Sequence, residues 1–461
     1  MASAPTHYLA FDLGASSGRA VVGAFDGERM HMDEVHRFET PIVESDGHIR
    51  WDVEALWNEL VTGLETATRA APKLESVSVD SWGVDYVSLN PAGRPVRDPY
   101  CYRDPRLDGI MESAHRRVGR DEIYARTGIY FLPFNTLYQL LADRDAGAIS
   151  EVDCHLTVAD YFNYRLSGVK CVEVSMAGTT QMMDVQAKQW DRGLMASFDL
   201  DADQWPEIVP SGTVLGRMTD HPDVSVVATC SHDTASAVAA VPATDPELHW
   251  AYISCGTWSL MGVERRDPIL SPPAWQAGFT NEAGLDGSIR FLKNLTGLWA
   301  LQECAREWDN VDWERLEREA REAGGPAVLV DLEDPRFLPR GAMEERLLAN
   351  CEERGQRRPG TRGELVRLIL ESIANSYRRA VDDLRRVTGD DVDVIHIVGG
   401  GSRNRLLCEL TAQACGRKVV AGPVEATALG NLLIQARTLG HLPVSIREAA
   451  ARSSELNVYN P

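Results

Sequence analysis

The 461-residue sequence predicts a two-domain α/β protein. Three observations carry that prediction. The chain is longer than a single hydrophobic core usually organises. Short apolar runs of strand character alternate with segments of helical period, which is the pattern of α/β domains. The same device (strand, glycine turn, strand) also occurs twice, at 8–25 and at 250–263, separated by a Pro-rich interruption from Pro242 to Pro246. The boundary is placed there, giving an N-terminal domain of residues 1–242 and a C-terminal domain of residues 243–461.

The elements follow in order. Residues 8–11 read as a strand, DLGASSGR (12–19) as a tight Gly/Ser turn, and 20–25 as a second strand. Residues 53–71 carry apolar side chains at helical spacing. Residues 77–80 and 86–89 read as strands flanking SWGVD (81–85), so Trp82 and Gly83 fall in a hairpin turn. Residues 110–166 are mostly helical. A strand at 224–229 leads through SHDT (231–234) into a helix at 233–241. The second half restarts with a strand at 250–253, the turn SCGTWS (254–259) and a strand at 260–263. A helix is expected at 295–308, with Asn294 just before it and Gln302 two turns along. Residues 313–358 are highly charged and read as exposed helices and loops. A long helix at 364–387, a strand at 392–398, the turn GGG (399–401) and a helix at 402–415 follow. A short strand at 418–421 and a helix at 426–439 complete the pattern. No short-period repeat occurs. The strand–turn–strand start of each half suggests one long repeat, with a cleft between related domains.

Composition narrows the function. The formal net charge is −21, a surface that repels nucleic acid and anionic membrane, so neither is expected as a partner. Nine scattered cysteines with no CxxC read as reduced residues of a cytoplasmic protein. The first apolar run stops at Asp12 and no basic segment precedes it, which reads as no signal peptide. No stretch approaches the roughly 18–20 apolar residues of a membrane span.

There is no Gly-Lys-Ser/Thr of a Walker loop and no zinc spacing. GxGxxG fails because Asn404 stands where the last glycine belongs. GASSG (14–18) matches the GxSxG nucleophile elbow with Ser16 as nucleophile. That motif needs strand, turn, helix, and residues 20–25 read as strand. The turn serves better as a phosphate cradle of backbone N–H groups and hydroxyls. Asp12 at its edge suits Mg2+ held through water, and Arg19 suits phosphate charge. An ordinary hairpin turn explains the same residues. The second turn, at Gly256 and Thr257, suggests that two cradles clamp one nucleotide. In SHDT, Asp233 is both a helix-start residue and a suitable acceptor for a hydroxyl proton in phosphoryl transfer, kept ionised by the helix N-terminus. His232 would bond a sugar hydroxyl, although a histidine at such a junction also fits a structural role. Gly83 would let a backbone approach a sugar. The GGG turn allows close approach by an anionic ligand, or is a plain tight connection.

Taken together, these pieces resemble the FGGY carbohydrate kinases, which share the ribonuclease H-like fold of actin, hexokinase and Hsp70. The resemblance rests on DLGASSGR (12–19), SWGVDY (81–86), YRDPR (102–106), FLPFNTLYQL (131–140), SHDTASAV (231–238), SCGTWSLMG (254–262), KNLTGLWALQ (293–302), HIVGGGSRN (396–404) and AGPVEATALGN (421–431). Within the family the wording is similar to the branch that acts on L-rhamnulose. The resemblance implies ATP plus L-rhamnulose giving ADP and L-rhamnulose 1-phosphate, with Mg2+. It implies Asp233 as proton acceptor, with Gly83, His232, Asp233, Thr234 and Asn294 on the ketose. It implies Ala15, Ser16, Ser17, Gly18, Arg19, Thr257, Gln302 and Gly400 on ATP, and Asp12 on the metal. Pro133 leads into Asn135, Thr136, Leu137 and Tyr138 without the Lys and Trp common elsewhere in the family, which fits this branch. Members of the branch can carry a short CxxxC disulfide; here Cys415 is present but position 411 is Thr. The alternatives are a kinase for another ketose such as L-fuculose, a non-catalytic actin-like ATP-binding protein, and a serine hydrolase using Ser16.

Overall fold

The computed structural model describes residues 4–71, 73–149, 151–308, 311–325 and 329–461. Residues 309–310 and 326–328, at and within the expected charged stretch, lie outside the described residues. The contacts divide the chain into two compact units. Unit 1 comprises Met1–Ala240, Glu264–Phe291 and Ala426–Ser453; unit 2 comprises Val241–Val263, Leu292–Glu425 and Ser454–Pro461. The first crossing lies close to the expected boundary at residue 242. A single cut does not describe the rest, because two later segments pack with unit 1.

Unit 1 is built on a sheet containing β1 (Thr6–Leu13), β2 (Ser17–Phe25), β3 (Met30–Glu39), β4 (Leu74–Ser81), β5 (Thr213–Arg217) and β6 (Ser225–Ala228), in the order β5-β6-β4-β1-β2-β3. β1 pairs antiparallel with β2 and parallel with β4, and β4 pairs parallel with β6. Tyr8 to Phe11 are all fully buried, as expected of a continuous apolar strand covered on both faces. The helix Val53–Ala70 buries Val53, Leu56, Leu60, Leu64 and Ala67, one face at helical spacing, and Asp52 caps its start.

The helix Ala426–Thr438, expected to be the last, is followed by a further helix at Ile446–Ser453; the first of the two is buried on almost every side, as a core helix is. Leu429, Leu432 and Leu433 pack in one cluster with Tyr8, Ala10, Val21 and Phe25. Its two buried amides are satisfied. Gln435 Nε2 donates to the Leu9 carbonyl at 2.9 Å and to Asn431 Oδ1 at 2.7 Å, and Ser76 Oγ donates to Gln435 Oε1 at 2.6 Å. Asn431 Nδ2 donates to Asp80 Oδ2 at 2.5 Å. Burying polar groups is tolerable only when they are paired in this way. The segment Glu264–Phe291 is tied to the rest of the unit by Asn281. Its backbone N–H and Nδ2 both donate to the Gly128 carbonyl, and Nδ2 also donates to Tyr124 Oη.

One expected hairpin is not formed. The strand Tyr86–Leu89 pairs antiparallel with Cys154–Thr157, not with β4, so SWGVD is a loop leaving the sheet.

Unit 2 repeats the starting device. β7 (Trp250–Cys255) pairs antiparallel with β8 (Trp258–Arg265) and parallel with β10 (Val394–Val398). The strand order is Phe279–Ala283 at the edge, then β9 (Ile289–Thr296), β8, β7, β10, β11 (Lys418–Ala421), β12 (Asn457–Tyr459). The helix expected at 295–308 is shorter: β9 runs through Thr296 and the helix begins at Trp299. The cause is Gly297, whose N–H donates to the Thr257 carbonyl and where a Cβ would come within 2.6 Å of the Gly256 oxygen. The tight approach forces a turn between strand and helix. Asn294 therefore lies in β9 and caps nothing.

Among the described residues no helix is long and apolar enough to cross a membrane.

Candidate active site

The first turn joins two strands, so the fold around Ser16 is not a nucleophile elbow. Gly14 N–H donates to the Ser17 carbonyl at 3.0 Å, and Thr40 Oγ1 donates to the Gly14 carbonyl at 2.6 Å. Ser16 is exposed, and Ala15 and Ser17 are half-buried. Gly18 is buried for a packing reason, since a Cβ there would meet the Phe38 ring at 2.4 Å. Asp12 and Arg19 face each other across the hairpin and form an ion pair, with Arg19 Nε at 3.0 Å and Nη2 at 2.6 Å from Asp12 Oδ2.

Sequence reasoning missed the carboxylate beside them. Asp80 on β4 is the register partner of Asp12 on β1 and is fully buried. Burial pushes its pKa well above the usual carboxylate range, and Asp12 and Asp233 add to the rise, while the Asn431 hydrogen bond opposes it. Its Oδ1 has no hydrogen-bond partner among the described residues. The signal available was weak: an Asp near the end of the mixed Ser/Val strand LESVSVDS (74–81).

Asp233 opens the helix Asp233–Ala239. The backbone before it is anchored. Ser231 N–H donates to Glu173 Oε2, His232 N–H donates to Ser175 Oγ, and the Ser231 carbonyl accepts from Ser81 N–H at 2.9 Å. Thr234 holds the Asp233 carboxylate through both its N–H and its hydroxyl, the latter at 3.0 Å. The Asp233 side chain is recessed, yet 31% of its surface remains open. Burial raises its pKa, Asp12 adds to the rise and the Thr234 hydrogen bonds oppose it. The net direction is upward, so the helix N-terminus does not dominate as expected from sequence.

His232 Nε2 lies 3.5 Å from Asp233 Oδ1. Behind the ring stand two residues that sequence reasoning did not find, Glu282 and Arg290. Arg290 Nη2 is 3.1 Å from His232 Nδ1 and 3.0 Å from Glu282 Oε2, and Glu282 Oε2 is 3.4 Å from His232 Nδ1. Arg290 is fully buried and its Nε donates to the Ala283 carbonyl. No motif spacing links 232, 282 and 290; only the packing of Glu264–Phe291 on unit 1 brings them together.

Gly83 sits in a loop with a strained neighbour, since Val84 has φ 70°, a conformation costly for a β-branched residue. Asp85 holds that loop. Its Oδ2 accepts from Trp51 Nε1 at 2.6 Å, Trp82 Nε1 at 3.0 Å and Tyr102 N–H at 3.2 Å, and its Oδ1 accepts from Gln139 Nε2 at 2.8 Å. Gln139 Nε2 and Thr136 Oγ1 also donate to the Val84 carbonyl. A Cβ on Gly83 would come within 3.0 Å of Thr179. Asp85→Asn would turn an amide N–H2 toward groups that are all donors. The expected result is a loss of about 1–3 kcal/mol, read as a lower denaturation midpoint.

In unit 2, Thr257 Oγ1 donates to Gln302 Oε1 at 2.9 Å, so these two predicted residues meet. Asn294 is half-buried, and its neighbour Lys293 pairs with Asp383 at 3.0 Å. The three turn glycines divide by role. A Cβ on Gly401 would meet Cys255 Sγ at 2.1 Å and one on Gly399 would meet the Cys255 oxygen at 3.0 Å, whereas Gly400 is exposed with nothing within 4 Å. Packing explains the outer two, and Gly400 alone is open to a ligand.

A carbohydrate kinase is the class that this fold and this recessed carboxylate define. Residues 7–240 match the N-terminal domain and residues 251–439 the C-terminal domain of the FGGY family of carbohydrate kinases, and the chain belongs to that family. The chain is 37% identical to a protein named Rhamnulokinase from Bacteroides thetaiotaomicron, over 99% of this chain and 96% of that one. It is 40% identical to proteins of the same name from Pectobacterium carotovorum (98% and 92% covered) and Klebsiella pneumoniae (99% and 94%). Solved structures of xylulose kinase and gluconate kinase from Lactobacillus acidophilus superpose with TM-scores of 0.81 and 0.80 at 15% identity, each covering 99% of this chain and 94% of theirs. A Plasmodium falciparum glycerol kinase with ADP gives 0.78 at 16% identity, with the same coverage. These likenesses define the fold as the two-domain FGGY kinase fold.

Proposed function

We propose that this kinase transfers the γ-phosphoryl group of ATP to L-rhamnulose, giving L-rhamnulose 1-phosphate and ADP. The observation that carries the substrate is the 37–40% identity, over nearly the whole chain, to proteins named Rhamnulokinase. Asp233 accepts the hydroxyl proton; its reachable, recessed carboxyl with a raised pKa supports that role. Gly83, His232, Thr234 and Asn294 bind the ketose. Ala15 to Arg19, Thr257, Gln302 and Gly400 bind ATP, with the open Gly400 and the Thr257–Gln302 pair in support. The part of the chain up to residue 242 supplies the sugar side and the proton acceptor, and the part from 243 supplies the second phosphate turn.

A divalent cation fits beside Asp12. Asp80 next to it leaves one buried oxygen without a hydrogen-bond partner among the described residues. Asp12 would hold a hydrated Mg2+ through water. Mg2+ would screen the phosphate charge as the group transfers. All nine cysteines are free, in keeping with a reducing, cytoplasmic setting.

The substrate is tested by a coupled ADP-release assay with L-rhamnulose, L-fuculose and L-xylulose. L-Rhamnulose is expected to give the highest kcat/KM. A higher value with either of the others overturns the assignment.

A further inference from the structure

We infer that Arg290 is a positioning residue for phosphoryl transfer: it holds His232 as the neutral imidazole protonated on Nε2, with a donor turned toward Asp233 and the ketose hydroxyl. The inference rests on Asp233 being the proton acceptor.

The argument starts from donor chemistry. A guanidinium only donates and stays charged. Arg290 Nη2 donates to His232 Nδ1 at 3.1 Å, so that nitrogen must present its lone pair. In a neutral ring the proton then resides on Nε2, the nitrogen 3.5 Å from Asp233 Oδ1.

Glu282 supplies the balancing charge. Burial works against its ionisation, but the Arg290 guanidinium beside it holds its pKa below the usual carboxylate range. Its Oε2, although 3.0 Å from Arg290 Nη2, accepts no well-directed hydrogen bond. The Arg290 proton is aimed at the ring, and Glu282 pairs with the guanidinium by charge.

The tautomer decides what the ring offers the substrate. With the proton on Nδ1, Nε2 would present a lone pair beside Asp233, and two acceptors would compete for one hydroxyl proton. With the proton on Nε2, Asp233 is left as acceptor and His232 donates to oxygen. Arg290 touches neither substrate in this scheme and acts through the ring. Its own place is fixed by the bond from Nε to the Ala283 carbonyl at 3.1 Å and by near-complete burial.

The test uses the full-length protein with 15N-labelled histidine, without sugar or nucleotide. His232→Gln identifies the His232 signals among those of the 11 histidines. In the wild type, at neutral pH, Nδ1 is expected at the unprotonated shift and Nε2 at the protonated one. Arg290→Met is expected to move the proton toward Nδ1 and Glu282. It should also lower kcat on the order of tenfold to a hundredfold, with KM for ATP changed less than about twofold. Arg290→Lys, which keeps a charged donor, is expected to recover part of both. A wild-type ring protonated on Nδ1 or on both nitrogens overturns the inference, as does a wild-type kcat in Arg290→Met. Should Arg290→Met not fold, the wild-type spectrum still decides. Because that spectrum is recorded without sugar, it stands or falls separately from the ketose assay.

Discussion

Asp233→Ala is expected to lower kcat for ketose phosphorylation by about a thousandfold while ATP still binds with near wild-type affinity. The side chain hydrogen-bonds Thr234 and approaches His232, and among the described residues it makes no hydrogen bond to either phosphate turn. Its removal therefore deletes a proton acceptor without dismantling a nucleotide contact. Single-turnover kinetics and calorimetric titration with ATP separate the two effects. Unchanged turnover would remove Asp233 from the reaction. The same carboxyl sets the pH dependence. Burial first, and Asp12 in addition, raise its pKa, so the proton-accepting form accumulates only above the ordinary aspartate range. The acid limb of kcat/KM is expected at a correspondingly raised pH, with activity lost as pH falls through it, and this limb should vanish in Asp233→Ala.

Gly430→Ala is expected to produce the largest loss of stability from a single methyl group. Gly430 lies on the helix Ala426–Thr438 against the helix Asp233–Ala239. A Cβ there would fall 1.9 Å from the Ser236 carbonyl oxygen and 2.7 Å from its carbon. Both obstructing atoms are backbone, so no side-chain rotation relieves the clash and the helices must separate. Overpacking of this kind costs about 3 kcal/mol, and the midpoint of thermal unfolding should fall by roughly 5–10 °C. Since the displaced helix carries Asp233, kcat should fall as well. Gly400→Ala is the matching control: nothing lies within 4 Å of a Cβ at that position, so its unfolding midpoint should stay at the wild-type value.

Local signals were read well and distant ones poorly, for physical reasons. The paired strands of DLGASSGR, the helix Val53–Ala70 and the long helix Arg362–Thr388 follow from periodicity and turn chemistry within a few residues. Asp12, Asp233, Thr257 and Gly400 lie at turns or element ends, where composition is unusual. Asp80 sits among the serines and valines of LESVSVDS, a mixed run in which a carboxylate reads as the solvent-facing residue of a half-exposed strand. Glu282 and Arg290 are further from legibility. They lie on two neighbouring strands, Phe279–Ala283 and β9, that local pattern does not reveal, and their partner His232 is some fifty residues upstream. The two segments that return to unit 1 were missed for the same reason. Helical period in 426–439 reveals a helix, but which sheet that helix covers is decided by long-range packing.

That returning helix has a consequence for biosynthesis. The sheet bearing Asp12 and Asp80 receives its cover from residues 426–453, which leave the ribosome long after the sheet itself. Until then the apolar faces of Tyr8, Ala10 and Val21 lack Leu429, Leu432 and Leu433, and Asp80 lacks its amide from Asn431. Domains commonly fold one after another as they emerge. In this protein the sheet bearing Asp12 and Asp80 has to wait for residues 426–453 to emerge before its apolar faces are covered.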